Sequence, residues 1–300
     1  MAGNNNVHDF ICYGELLWDL LPSGAKPGGA PMNVAFHLKK LGHNPAVITR
    51  VGPDERGKEI VSILRDKNIT TDFVQTDPQL PTGIVHAMPN EHHEMTYDIV
   101  APAAWDNIEW DSAFSRIFDA SNYLVFGSLI CRNNRSRDTL FQLIEMASNK
   151  VLDINLRPPH YNRQLLTELL TKADVVKLNR DELDLVSRWN SDVSGDEDQV
   201  KNVQDTFKIP NIIVTLGGKG AMMNIESKFF RHPGYNIVVE DTVGSGDAFL
   251  AALLSGLIKN KPAGECLSFA CAIGALVTSK KGAWPDYDIS ETKLLKEHNK

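Results

Sequence analysis

The 300-residue sequence has no excess of positive charge: 31 Lys and Arg stand against 38 Asp and Glu, a formal net charge of -7. That excludes a broad basic field for nucleic acid or an anionic membrane surface, so a phosphate-bearing ligand must be held by local features. Nowhere does an uncharged apolar run reach the roughly 20 residues that a bilayer-spanning helix needs. The N-terminal MAGNNNVHD is polar and has no apolar segment of the signal-peptide kind. Cysteine is scarce: Cys12, Cys131, Cys266 and Cys271 form no CxxC pair and lie in mostly apolar surroundings. They read as buried small hydrophobes, which excludes a disulfide framework or a zinc site. The expectation is a cytoplasmic protein without nucleic-acid or membrane partners. Internal repeats, low-complexity tracts and long linkers are also missing; NSDVSGDEDQ is polar and acidic enough to be a mobile surface loop.

What is present is an alternation. FICYGE, PAVITRVG, NYLVFGS, KVLDINL, ADVVKLN and NIIVTLGG are short runs rich in Val, Ile and Leu. Near-continuous apolar runs suit strands covered on both faces, as in a parallel sheet wrapped by helices. Between them MNVAFHLKKLG, GKEIVSILRDKNI, SRDTLFQLIEMASN and RQLLTELLTKA have helical period, with Gly42 placed to end the first. The pattern predicts a single α/β domain over residues 1–300, its central, mostly parallel sheet covered by helices on both faces. One stretch departs from the rhythm: TGIVHAMPNEHHEMTYDIV holds two β-rich runs about Pro89-Asn90-Glu91 and reads as a hairpin. Its tip pair His92-His93 reads as a solvated turn, since neighbouring strand residues point to opposite faces.

The stretch EDTVGSGDAFLAALLSG sets a glycine turn directly against an apolar run. Gly244 and Gly246 permit a tight turn, and DAFLAALLSGLI is apolar nearly all round, as a core helix is. A helix N-terminus offers unpaired N–H donors and the positive end of the macrodipole, so Gly244, Ser245 and Gly246 can cradle an anion without a basic side chain. Asp247, in the first turn, would then accept a proton from an attacking hydroxyl. The competing reading is that Ser245 or Asp247 merely caps the helix; locally the two stay open, although capping leaves Asp241 and both glycines unexplained. GxxxxGK[ST] is absent, as is the combination of a Gly-rich loop with HRD and DFG, so P-loop and protein-kinase scaffolds are excluded.

DTVGSGD resembles the C-terminal signature, and GGAPMNVAFHLKKLG the N-terminal signature, of the ribokinase-like (PfkB-type) carbohydrate and nucleoside kinases. The two stand in the family's order, roughly 200 residues apart. GELLWDLLP, VGPDERGKEI, DINLRP, KLNRDEL and TLGGKGA extend the resemblance over nearly the whole chain. Together with AAWDNI they look most like bacterial fructokinases. The resemblance implies a ribokinase-like fold with a small β lid, from segments near 16–27 and 82–105. It implies Asp247 as catalytic base, with the amides of Gly244, Ser245 and Gly246 as anion hole. Asp19, Gly28, Gly29, Asn33 and Arg157 fall at sugar-binding positions, Arg157 facing sugar or phosphate. Asn179 and Glu182 match the element that organises Mg²⁺ and its waters. Thr215, Gly217, Gly218 and Gly220 line the ATP side, with Lys219 solvated. Asp241 and Thr242, with the loop near Ser279 and Gly282, match a K⁺ site.

The implied activity is ATP-dependent phosphorylation of fructose at its 6-hydroxyl, in a homodimer formed through the lid. The alternatives are kinases of ribose or 2-keto-3-deoxygluconate, and a sugar- or nucleotide-sensing protein without activity. One departure from the commonest signature is Ser245, where the family often has Ala; a serine keeps the turn small.

Overall fold

The computed structural model describes residues 8–22, 24–89, 95–118, 122–189 and 193–298. The chain divides into two compact units, Met1–Val125 with Asn133–Asn149, and Phe126–Arg132 with Lys150–Lys300. The pair His92-His93 lies outside the described residues.

The first unit opens with β1 (Phe10–Tyr13), β2 (Leu17–Leu21), β3 (Gly24–Gly28) and α1 (Ala30–Lys40). There follow β4 (Pro45–Val51), α2 (Glu55–Asp66), β5 (Val74–Thr76), β6 (Gly83–Pro89) and β7 (Met95–Ile99). It closes with β8 (Tyr123–Gly127), shared with the second unit, and α3 (Asn134–Met146). Strands run in the order β8-β1-β4-β5, with β1, β4 and β5 parallel. The four residues of β1 and the seven of β4 are all buried, which is why both read as unbroken apolar runs. Helix α1 ends where Gly42 adopts φ +84° and donates to the Lys39 carbonyl at 3.1 Å. A separate four-stranded sheet has the order β3-β2-β6-β7. It comes from the two segments expected to form a small β lid, and β6 and β7 are the antiparallel pair read from TGIVHAMPNEHHEMTYDIV.

The second unit begins with β9 (Asn149–Asp153), α4 (Arg163–Lys172), β10 (Val175–Asn179) and α5 (Arg180–Ser187). Next come α6 (Asp196–Phe207), β11 (Asn211–Thr215), β12 (Ala221–Ile225) and β13 (Lys228–His232), then α7 (Ser245–Leu257), α8 (Ala263–Thr278) and α9 (Glu291–His298). Strands run in the order β13-β12-β11-β10-β9; β9, β10 and β11 are parallel, β12 and β13 antiparallel. Two features depart from the sequence reading. Within NSDVSGDEDQ, residues from Asp196 onward are helix, because Asp196, Glu197 and Asp198 sit in the first turn of α6, where carboxylates meet the positive end of the dipole. The β12–β13 hairpin carries no Asn-Gly signal, since its turn places Glu226 and Ser227 at φ +51° and +61°. All four cysteines are free and buried, as expected. Among the described residues no helix is long and apolar enough to cross a membrane.

The segment VGPDERG shows how side chains hold the first unit together. Asp54 caps α2 by accepting from Gly57 N at 2.8 Å, and also accepts from Thr82 N at 2.8 Å and Thr82 Oγ1 at 2.7 Å. A β-carbon on Gly57 would lie 2.3 Å from the Gly52 carbonyl, so this approach requires glycine. Partial burial works to raise the pKa of Asp54, but the Thr82 and Gly57 hydrogen bonds and the Arg56 charge outweigh it and hold the pKa below the ordinary value. Asp54→Ala is therefore expected to cost about 2 kcal/mol in urea denaturation at pH 7. A depressed carboxylate pKa stabilises above the unfolded-state value and loses that contribution as pH falls through the folded-state value. The gap between wild type and variant should hold from neutrality to about pH 5 and close below about pH 4.

Candidate active site

Helix α7 is buried from Asp247 to Gly256, and Leu250, Leu253 and Leu254 are fully enclosed. Each such leucine contributes about 1.5–3 kcal/mol of burial, which anchors the helix and hence the position of its N-terminus. The helix starts at Gly244, in the left-handed region at φ +74°, where a β-carbon would also come within 2.7 Å of Ala283. Only glycine meets both conditions. No side chain caps α7. The Ser245 hydroxyl turns back to the Thr242 carbonyl at 2.9 Å, and the Ser245 N–H meets the same oxygen at 3.3 Å. Gly246, the next residue, has no acceptor for its N–H within its own helix. The Ser245 hydroxyl is thus spent on the loop before the helix and does not cap α7. Asp247, at the edge of burial with 9% exposure, lies in that first turn.

The loop before α7 is tied to the loop after α8. Asp241 accepts from Val243 N at 3.0 Å and from Gly282 N at 2.9 Å, while the Thr278 carbonyl accepts from the N–H groups of Glu240 and Asp241. Ser279 ends α8, its hydroxyl donating to Leu276 O at 2.8 Å. The structure thus brings Asp241 and Gly282 into direct contact and places Thr242 and Ser279 in the two tied segments. Carbonyl and carboxylate oxygens of this kind suit a hard monovalent cation.

Three parallel strands end side by side in this unit at Asp153, Asn179 and Thr215. The carboxyl ends of parallel strands are where open α/β sheets bind ligands. Asn179 and Glu182 form a capping box: Asn179 Oδ1 accepts from Glu182 N at 2.9 Å, and Glu182 Oε2 from Asn179 N at 2.8 Å. Glu182 Oε1 accepts from Leu156 N at 2.8 Å, so this buried side chain also pins the chain after β9. Each Glu182 oxygen has one backbone donor and keeps a further lone pair for a metal-bound water. Burial and the Asp153 charge raise the Glu182 pKa, outweighing the Lys177 charge and the two N–H donors.

Thr215 Oγ1 is 3.4 Å from Leu178 O. Beyond it, Gly217 and Gly218 are exposed, with nothing within 4 Å of an added β-carbon. Gly220 differs: a β-carbon there would lie 2.0 Å from the His232 carbonyl, so its glycine serves chain packing. Lys219 is exposed, as expected. Arg157 is exposed just beyond β9 and bonds the Leu156 carbonyl at 3.2 Å.

Of the expected sugar residues, Asp19, Gly28, Gly29 and Asn33 lie in the first unit, whereas Arg157 belongs to the second. Asp19, on β2, is partly buried, and a β-carbon on Gly28 would lie 2.3 Å from its Oδ2. Gly28 therefore lets the carboxylate reach the backbone of β3. Gly29 has φ +111°, and its β-carbon would meet the Glu15 carbonyl at 2.1 Å. Asn33 is buried in the first turn of α1, its N–H on the Gly29 carbonyl at 2.8 Å.

Sequence reasoning passed over three residues here. Buried Glu15 accepts from Ala30 N at 3.1 Å and so holds the Gly28-Gly29 turn; its signal was an acid inside the apolar opening GELL. Lys177 and Asp153 form an ion pair, Lys177 Nζ lying 2.8 Å from each carboxylate oxygen, with both side chains under a tenth exposed. Burial works against the ammonium, but the charges of Asp153, Glu182 and Asp247 outweigh it and raise its pKa. The signal for this pair was a lysine within an apolar strand run.

A family model described as pfkB family carbohydrate kinase matches residues 23–289. An uncharacterised sugar kinase of Pyrococcus horikoshii is 32% identical over 276 residues, which cover 86% of this chain and 82% of the relative. Its crystal structure in complex with ATP matches with a TM-score of 0.79 at 28% identity, over 94% of this chain and 96% of that one. A fructokinase of Klebsiella pneumoniae is 30% identical over 291 residues, 90% of this chain and 93% of the relative. The crystal structure of fructokinase from Vibrio cholerae O395 in its fructose, ADP and calcium ion bound form matches with a TM-score of 0.83 at 26% identity, over 97% of this chain and 99% of that one. The ribokinase-like α/β fold expected from the motifs is therefore the fold of this protein. With the family model spanning the chain from just before β3 to the loop beyond α8, the protein belongs to the pfkB family of carbohydrate kinases.

Proposed function

We propose that the protein is a cytoplasmic, ATP-dependent fructokinase that converts fructose to fructose 6-phosphate and ADP. The observation that carries this reading is the N-terminus of α7, where Asp247 stands in the first turn beside a glycine turn with no side-chain cap hydrogen bond. The fructokinase relatives, one solved with fructose and ADP, and the sugar kinase solved with ATP support the choice of both substrates.

In the proposed reaction the 6-hydroxyl oxygen attacks the γ-phosphorus of ATP in line with the bridging oxygen. Its proton passes to Asp247 Oδ, the bond from the bridging oxygen to the γ-phosphorus breaks, and ADP leaves. Backbone amides of the Gly244-Ser245-Gly246 turn stabilise charge on the transferred phosphoryl oxygens. Asp19 and Asn33 hold sugar hydroxyls, with Gly28 and Gly29 allowing close backbone approach, and Arg157 contacts sugar or phosphate. Thr215, Gly217, Gly218 and Gly220 line the nucleotide side. Mg²⁺, held through waters by Asn179 and Glu182, would neutralise phosphate charge when bound; K⁺, held by oxygens of the Asp241-Thr242 and Ser279–Gly282 segments, would steady the anion turn. The β2-β3-β6-β7 sheet would cover the sugar, excluding water and so limiting ATP hydrolysis, and would serve as the homodimer face.

Asp247→Asn tests the base, since it keeps shape but cannot take the proton. kcat measured by coupled ADP release should fall by about 10²–10⁴-fold. Calorimetric fructose affinity should stay near that of wild type, and undiminished turnover would remove Asp247 from its role. The substrate is tested by running fructose, ribose, glucose and 2-keto-3-deoxygluconate in parallel with ATP, Mg²⁺ and K⁺. The expected result is the highest kcat/KM for fructose; preference for another sugar reassigns the pocket around Asp19 and Asn33, and silence on all four favours a sensing role.

A further inference from the structure

Lys177 has no part in the mechanism above, yet it is buried at its centre in the second unit. Register pairs it with Asp153 on the adjacent strand, and its ammonium lies 2.8 Å from both oxygens of that carboxylate. The same ammonium is 3.4 Å from the place a β-carbon would take on Gly246, which puts it against the first turn of α7. It also interacts with the charges of Glu182 and Asp247. One cation thus faces three carboxylates carried by β9, α5 and α7.

Neutralising Asp153 would not require contact with α7, and replacing a buried ion pair with neutral groups of similar shape is often harmless to stability. The placement against Gly246 therefore asks for another explanation. We propose that Lys177 is a positioning residue for phosphoryl transfer, anchored by Asp153 and holding the first turn of α7, with its Gly246 amide and Asp247 carboxylate, in the geometry that the transfer needs. This rests on the reading of Asp247 as the base of a sugar kinase. A fixed cation under the turn acts before substrate arrives, so no reorganisation is needed during the reaction.

The test separates positioning from charge neutralisation by comparing wild type, Lys177→Met and the double variant Lys177→Met/Asp153→Asn. The single variant leaves Asp153 without its partner and should lower Tm. The double variant removes both charges with similar shapes and should regain most of that Tm. Its kcat should nevertheless remain on the order of 10²-fold below wild type, with the fructose KM changed little, as for a misplaced catalytic group. Amide hydrogen exchange of the Gly244–Ala248 segment should be faster than in wild type, while other segments match. Recovery of kcat and of this protection together with Tm would overturn the proposal and leave Lys177 as a counter-ion. Should wild type phosphorylate none of the sugars, the kinase reading fails by itself, and the exchange measurement alone decides for or against Lys177. If the double variant does not fold, Lys177→Gln, which keeps a hydrogen-bond donor for Asp153 but loses the charge, takes its place with the same readouts and the same deciding outcomes.

Discussion

The second unit is organised by the need to bury a helix that has no polar side. Between Ala248 and Leu254 every residue of α7 is apolar and buried, so the helix lies in the core along its length. A helix fixed in this way has its N-terminus fixed with it, and with that end go unpaired amides and a dipole that favour an anion. Gly244 allows the chain to enter this helix at φ +74° against Ala283, without a capping side chain in the way. The surroundings follow the same constraint: Asp241 ties the entering loop to Gly282, and Ser245 closes its turn on Thr242 instead of covering the helix end.

Electrostatics here run against the protein's overall charge. An acidic chain binds phosphate poorly through its general field, so local arrangement must supply the positive potential. The N-terminus of α7 offers backbone amides and the positive end of a dipole without side-chain charge. The carboxylates that assemble nearby are individually restrained: Glu182 by Asn179 N and Leu156 N, Asp241 by Val243 N and Gly282 N, and Asp153 by Lys177. The bonds to Leu156, Gly282 and Lys177 also join separate segments, so the groups that set the local charge also set the local shape. In the first unit the same economy is seen at Gly28 and Gly29, whose missing side chains make room for Asp19 and the Glu15 carbonyl.

Much of the fold was legible because burial on two faces removes alternation from a strand. FICY and PAVITRV show this, and both are buried throughout. Local chemistry was equally readable: Gly42 ends α1, and KLNRDEL is a capping box whose partners lie three residues apart. Where reading failed, the deciding fact was not local. Glu226 and Ser227 take left-handed conformations that their residue types disfavour, because the β12–β13 pairing requires them. Asp196 to Asp198 are as acidic as a solvated loop, yet α6 packs its other residues, Val200, Val203 and Phe207, inside.

By itself the sequence determined the class of fold, the glycine turn at the head of an apolar helix, and the carboxylate in the first turn of that helix. These depend on residue type and spacing over a few positions, which act through sterics and hydrogen bonds to near neighbours. Tertiary structure alone decided that Ser245 turns away from capping, that Glu182 reaches Leu156, and that Lys177 meets Asp153 and comes to rest against Gly246. Those contacts join residues 24 to 69 positions apart or depend on which oxygen a side chain chooses. Only the packed chain, by excluding water and leaving each buried charge one place to find a partner, settles them.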